Sequence, residues 1–386
     1  MHTPRRLKRL KLGLTVGAAA GVTAVALVAA NASGAPGRQG SSVVNAHAVR
    51  GALINAARAG GAPGGLALIA DEYGWKYAFT IGEADIQTGR EPHVRDRFRA
   101  GSITKMFVST VILQLEAEHR LSIDDKVEKW LPGRVPVGSP ITIRQLLQHT
   151  SGLPDFKAHL TLTPANRKNE YTPDQLLALI KDDKPDFPPG RAWQYSNTNY
   201  LLAGMIIDKV TGHDWRQEVE RRIIKRQHLA NTWAPGKVTK FRGPHMHGYD
   251  ANGPEPKELV DVTELSPTMA DSAGEMISNA EDATHFLRSL LGGELLPAKQ
   301  LAEMKAAVPA PALKGGYGLG LMRTDLKCGI SVWGHGGLIP GFNSWAAVNE
   351  DGSRTLVASV NKLIEPQDAS TQSFYKLMEA SFCKKK

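Results

Sequence analysis

Strand-forming sequence is concentrated at the two ends of the chain and helical sequence fills the interval between them; no other feature restricts the fold as much. Near the start, Leu66-Ala67-Leu68-Ile69-Ala70 and Trp75 to Ile81 read as strands, with the polar Asp71-Glu72-Tyr73-Gly74 as the turn between them. Near the other end, Tyr317 to Arg323, Ser331 to Gly334, Asn343 to Val348 and Arg354 to Val360 are rich in β-forming residues, and Asn349-Glu350-Asp351-Gly352 makes a hairpin turn. Between these groups the signals are helical. Thr142 caps a short helix that stops before Gly152, Thr172-Pro173 opens another with proline at its first position, Tyr200 to Val210 ends at Gly212, and Asp214 to Gln227 follows. Helices over Val44 to Ala59 and Gln367 to Ala380 stand outside the strand groups. This order predicts an α/β fold of the α+β type: an antiparallel sheet built from both chain ends, flanked by helices, with a mostly helical domain inserted in the middle. A cleft between sheet and insert is then the natural place for a site.

The first residues have a different character. Arg5, Arg6, Lys8, Arg9 and Lys11 precede an Ala-rich apolar stretch from Leu12 to Ala30, and Ala30-Asn31-Ala32 supplies a small-x-small site. That layout predicts a secretory signal peptide over 1–32, with an uncleaved membrane anchor as the other reading. A Gly/Ala/Pro/Ser-rich lead-in over 33–43 follows. The domain is expected over 44–383, with 44–120 and 270–383 as the sheet-plus-helix part and 121–269 as the helical insert. Five of the 47 Lys and Arg lie in the leader and none of the 38 Asp and Glu, so the remainder is close to neutral and nothing in it calls for nucleic acid. Contact with a membrane is expected only if the leader is retained. Cys328 and Cys383 are the only cysteines. In an exported chain such a pair forms a disulfide, here one that ties the C-terminal helix to the sheet, and two residues are too few for a metal site.

Three short patterns carry possible chemistry. In Ser102-Ile103-Thr104-Lys105, a serine at the start of a helix and a lysine one turn later share a face, which suits a nucleophile and its base. The same four-residue pattern also occurs at Ser359, Ser373 and Ser381, so the pattern alone decides nothing. Context does: Ser102 leads into Met106-Phe107-Val108-Ser109-Thr110-Val111-Ile112-Leu113, apolar nearly all round and hence a buried central helix, whereas Ser359 lies on a strand and Ser373 and Ser381 on a solvated terminal helix. Tyr195-Ser196-Asn197 is the only Tyr-x-Asn in the chain, placed on an irregular run before a helix; a phenol near a lysine can move protons and an amide can hold a carbonyl, or the pair can be a buried tyrosine and a helix cap. Gly334-His335-Gly336-Gly337, between two strands, lets another backbone approach closely. His149 reads as structural, closing a helix before a Gly/Pro turn, and His245-Met246-His247 lacks a third ligand. No Gly-x-Ser-x-Gly elbow, phosphate loop or dinucleotide fingerprint occurs, so neither a metal nor a cofactor is expected.

In this order and spacing, Ser102-x-x-Lys105, Tyr195-x-Asn197 and His335-Gly336-Gly337 resemble the three motifs of the serine β-lactamase and penicillin-binding-protein superfamily. The resemblance is strongest to its class C-related branch and to secreted D-alanyl-D-alanine carboxypeptidases. Leu146 to Leu153, Ser272-Ala273-Gly274, Tyr317 to Leu321 and Cys328 to Gly341 extend it. It implies that Ser102 attacks a carbonyl, that Lys105 and Tyr195 shuttle its proton, and that Asn197, His335, Gly336 and Gly337 bind substrate. The backbone N–H groups of Ser102 and Leu338 would form the oxyanion hole, worth about 3 kcal/mol per donor. The chain departs from the carboxypeptidases where those hold a substrate carboxylate: Gly336 and Leu338 replace hydroxyl residues, Met322 stands at the arginine position, and alternation turns Arg323 to the other face. The expectation is a monomeric secreted hydrolase, D-alanyl-D-alanine carboxypeptidase-like, acting on a small peptide, ester or β-lactam. An esterase or β-lactamase of the same fold, or a non-catalytic penicillin or cell-wall sensor, are the alternatives.

Overall fold

The computed structural model describes residues 44–383 except 72, 136–139, 164, 253–257 and 364–366; the expected leader and lead-in lie outside the described residues. Helix α1 (Ala46–Gly60) starts on Asn45, whose side chain accepts from the Ala48 amide, and stops on Gly61 at positive φ. Strands β1 (Gly64–Asp71) and β2 (Gly74–Gly82) follow as a hairpin. Helix α2 (Thr104–Ala117) comes next, then α3 (Asn197–Thr211) and α4 (Ala280–Leu291). The second strand group comprises β3 (Val308–Pro309), β4 (Gly315–Tyr317), β5 (Met322–Asp325), β6 (Ser331–Ile339), β7 (Phe342–Asn349) and β8 (Arg354–Val360), before the terminal helix α5 (Gln367–Phe382).

These strands form one eight-stranded antiparallel sheet in the order β2-β1-β8-β7-β6-β5-β4-β3, so the last long strand inserts beside the first and both chain ends share the sheet as expected. Alternation sends successive residues of β1 to opposite faces. Ala67 and Ile69 meet Val49 and Leu53 of α1 and Phe374 and Leu377 of α5, while Leu66 and Leu68 join Phe107 of α2 and Phe286 of α4. Each fully buried Leu or Phe contributes about 2–3 kcal/mol. Helix α2 is buried from Thr104 to Leu115, and its polar members find partners: Ser109 Oγ is 2.9 Å from Tyr200 Oη, and Thr110 Oγ1 donates to the Met106 carbonyl at 2.7 Å. A helix enclosed in this way is a rigid base for whatever its first turn carries.

Several boundaries differ from the sequence reading. Tyr317 to Arg323 splits into β4 and β5 around a turn, and β6 runs on to Ile339, so His335, Gly336 and Gly337 sit inside a strand rather than between two. The pairing of Gly334–Ile339 with Phe342–Ala347 supplies the hydrogen bonds that glycine-rich sequence does not advertise. Asp214 to Gln227 is a helix over Trp215–Val219 that widens into a π-turn over Glu220–Ile224. Thr142 and Thr172 form the capping boxes their spacing suggests, with Gln145 and Gln175. Ser381, expected at the surface, is buried and bonds back to the Leu377 carbonyl.

Cys328 and Cys383 are joined, pinning the end of α5 to the β5–β6 turn across 55 residues. On the chain-entropy model a loop of that length is worth about 4 kcal/mol. Replacing both cysteines by serine is expected to lower the unfolding free energy by that order, measured by denaturant titration of the oxidised protein.

Candidate active site

The chain enters the site through Gly101, at φ +54°, and a 3-10 turn over Gly101–Ile103 that runs into α2. A Cβ on Gly101 would stand 2.8 Å from the Leu338 amide nitrogen, and one on Gly337 would stand 1.9 Å from the Ala100 carbonyl oxygen. Only glycine at both positions lets β6 press backbone to backbone on the serine turn. The Leu338 amide is thereby brought beside the peptide that precedes Ser102.

Lys105 is fully buried one turn along α2. Its Nζ lies 3.0 Å from Ser102 Oγ, 2.8 Å from Asn197 Oδ1 and 2.6 Å from the Ala273 carbonyl oxygen. The amide oxygen of Asn197 is turned to the lysine because its Nδ2 donates to Asp155 Oδ2 at 2.8 Å. The Ala273 carbonyl is held by a turn whose flanking Asp271 and Glu275 both bind Arg216, at 2.6–2.8 Å. A carbonyl and an amide oxygen can only accept, so together they take two N–H groups of the amine. A neutral amine then has its lone pair left for the Ser102 hydroxyl proton. Burial, with Lys157 adding to it and Asp155 opposing, holds the Lys105 pKa well below the ordinary lysine range.

Tyr195 is half-buried as a residue with its hydroxyl end enclosed, and it lines the same cleft as Ser102. Burial of that hydroxyl raises its pKa well above the usual phenol value, so it is a protonated phenol at neutral pH rather than a phenolate. Lys105 Nζ lies 4.8 Å from its ring centre. Asn197 is the first residue of α3, with Ser196 in the cap position. His335 is buried, and both its ring nitrogens are engaged by the protein: Nε2 is 2.8 Å from Tyr317 Oη, and Nδ1 faces the Gly336 carbonyl. Burial, reinforced by Lys105, depresses its pKa to about 3, so the ring carries no charge at neutral pH.

Ser102, Tyr195, Asn197, His335, Gly336 and Leu338 share one cleft of about 500 Å³. Phe156, Trp193, Met269, Leu313, Met322 and Trp345 make most of it apolar, and Asp155 and Lys157 are the acidic and basic side chains on its wall. Met322 faces the cleft, whereas Arg323 pairs with Asp325 outside it, at 2.8–3.0 Å. His245 and His247 lie elsewhere, stacked at 5.2 Å, and no cluster of three metal-binding side chains occurs among the described residues. Sequence reasoning missed Asp155, Tyr317 and the Ala273 carbonyl as parts of the site. Asp155 begins a 3-10 turn just after the Gly152-Leu153-Pro154 bend, and a carboxylate there reads locally as an ordinary cap.

The family model described as Beta-lactamase matches residues 49–377. A D-stereospecific amidohydrolase from a Streptomyces species is 41% identical, with a TM-score of 0.79 over 88% of this chain and 99% of that one. The D-amino acid amidase of Ochrobactrum anthropi SV3 is 26% identical, with a TM-score of 0.75 over 86% of this chain and 98% of that one. A penicillin-binding protein of Bacillus subtilis (strain 168) is 26% identical over 303 residues, 74% of this chain and 65% of its own length. The chain spans less than two thirds of the length of the curated relatives it matches.

Proposed function

The chain belongs to the β-lactamase family, and on that footing we propose that it is a serine hydrolase that opens amide and ester bonds through an acyl-enzyme on Ser102, with amides of D-amino acids bearing a free α-amino group as the substrate class. The observation that carries the reaction is the set of partners around Lys105: two acceptors that occupy its N–H groups and one serine hydroxyl facing what remains. Ser102 Oγ attacks the substrate carbonyl as its proton passes to the Lys105 amine. The oxyanion is received by the amides of Ser102 and Leu338. Tyr195, kept as a phenol, hands its proton to the departing amine and is reprotonated from Lys105. Water then enters, gives its proton back along the same pair and releases the acid from Ser102.

Asp155 supports the choice of substrate. A substrate's α-ammonium lies two bonds from the carbonyl under attack, and Asp155 is one hydrogen bond beyond Asn197, which itself touches Lys105. Met322 and the uncharged His335 offer no cation on the strand wall for a terminal carboxylate. Lys157, two residues from Asp155 on the same turn, is the feature that favours the D-alanyl-D-alanine carboxypeptidase or β-lactamase reading. The basic leader with its apolar stretch, together with the disulfide, supports export from the cytoplasm.

Substitution Asp155→Asn separates these readings, because asparagine can still accept from Asn197 while losing the charge. Loss of a charge-assisted contact is worth about 1.5–3 kcal/mol, so KM for D-phenylalanine amide is expected to rise about 10- to 100-fold, with little change for the N-acetylated ester. Equal effects on both substrates, or preferential cleavage of a D-Ala-D-Ala peptide by the wild type, would count against an ammonium site.

A further inference from the structure

From the cleft lining at His335 inward, the buried side chains of His335, Tyr317 and His149 run in a line whose hydrogen-bond directions can be assigned one after another. The Ser196 amide donates to His149 Nδ1 at 3.2 Å. The Asn199 side-chain nitrogen faces the same Nδ1 at 3.0 Å, its Oδ1 being occupied by the Ser151 hydroxyl at 2.6 Å. Two donors on Nδ1 place the His149 proton on Nε2. That N–H meets Tyr317 Oη at 3.2 Å, and the Tyr317 O–H is left to donate to His335 Nε2 at 2.8 Å. His335 must then carry its proton on Nδ1, where the Gly336 carbonyl accepts it.

We propose that Tyr317 is a positioning residue that locks His149 and His335 as single, opposite tautomers and so ties the Tyr195–Asn197 turn to the strand bearing Leu338. The two walls of the site come from segments far apart in sequence, and this line spans them. At one end it grips the Ser196 amide, between Tyr195 and Asn197; at the other it grips the Gly336 carbonyl, two residues before Leu338.

The line is also closed to an extra proton. A proton on His335 Nε2 would set two N–H donors against the Tyr317 oxygen and leave the tyrosine O–H without its acceptor. Around His149 and His335 stand Lys105 from α2, Tyr195 and Trp193 from the preceding run, Tyr200 and Asn199 from α3, and Tyr317 from β4. In the proposed reaction Lys105 is the group among these that becomes positively charged. Neutral histidines beside it spare the site a second positive charge, and both rings are held below the usual imidazole pKa, chiefly by burial and next by Lys105.

The kinetic consequence rests on the hydrolase reading, and the spectroscopic one does not. In wild-type protein labelled with [15N]histidine, two rings are expected to stay neutral from pH 5 to 8, one protonated at Nε2 and the other at Nδ1, with His149→Gln and His335→Gln assigning them. Tyr317→Phe removes the bridge while keeping the ring: kcat is expected to fall about tenfold at pH 7 with KM little changed, and the acid limb of kcat/KM to move upward as a histidine becomes able to charge. An ordinary imidazole titration or the reverse tautomers in the wild type overturn the proposal whether or not the variant folds. So does a Tyr317→Phe enzyme with unaltered kcat and pH profile. Intact spectra with no hydrolysis of any substrate would instead fail the hydrolase reading alone.

Discussion

Ser102→Ala is expected to abolish turnover of both amide and ester substrates, by about 10⁴-fold or more, since acyl transfer through the enzyme has no other route when the oxygen that forms the bond is gone. Ser102 is half-buried and its hydroxyl meets Lys105 within the site, so the fold should change by less than about 1 kcal/mol. Steady-state rates on D-phenylalanine amide and a p-nitrophenyl ester, with mass spectrometry of the protein after exposure to a slow acylating β-lactam, measure the two halves of the expectation. Wild type should gain the mass of one acyl group and the variant none. Comparable hydrolysis by both proteins would remove Ser102 from the mechanism.

The second large effect concerns the base. Lys105→Met removes the lone pair that takes the serine proton, and acylation should slow by about 10²–10⁴-fold. Lys105→Arg should be no better, because a guanidinium holds its proton at any working pH. In the wild type, activity should fall on the acid side as Lys105 becomes protonated. Stability moves with the same group. The folded pKa of Lys105 lies well below 10.5, so the unfolded chain binds the additional proton throughout that interval. Folding is therefore opposed below pH 10.5, increasingly so until the folded pKa is reached. Relative to wild type, Lys105→Met should gain stability as pH falls from about 10.5 to the folded pKa of Lys105, even though the Asn197 and Ala273 acceptors lose a donor. Denaturation midpoints of both proteins across that range test this, and a difference that does not vary with pH would mean that the buried amine is charged.

Much of the architecture was legible because it is written in local periodicity. Short continuous apolar runs mark β1 and β8, Thr142 and Thr172-Pro173 announce their helices, and the all-round apolar run after Lys105 foretells a buried helix. Two adjustments came from pairing partners that no local pattern encodes. The glycines of β6 look like a loop until β7 is laid beside them, and Tyr317 to Arg323 looks continuous until the turn at Gly318–Leu321 breaks it. The site was half legible for a related reason. Ser102 and Lys105 lie on one helical turn, so their meeting follows from spacing, but Asp155 reaches Asn197 across 42 residues and Tyr317 reaches His149 across 168.

What the sequence determined by itself, then, is which elements form, in what order, and which residue types can react: strands at both ends, a serine and a lysine one turn apart, and two cysteines to join. What only the tertiary structure decided is the state of those groups. Among four Ser-x-x-Lys patterns, the burial of Lys105 and its partners Asn197 and Ala273 distinguish the one at Ser102, while Ser359 is enclosed in the sheet against Ser344. Lys105 has a lowered pKa because it is enclosed, the Asn197 amide points as it does because of Asp155, and His335 is a neutral ring because it is buried beside Lys105. Charge and tautomer depend on dielectric and on partners about 3 Å away, and folding supplies those from distant parts of the chain.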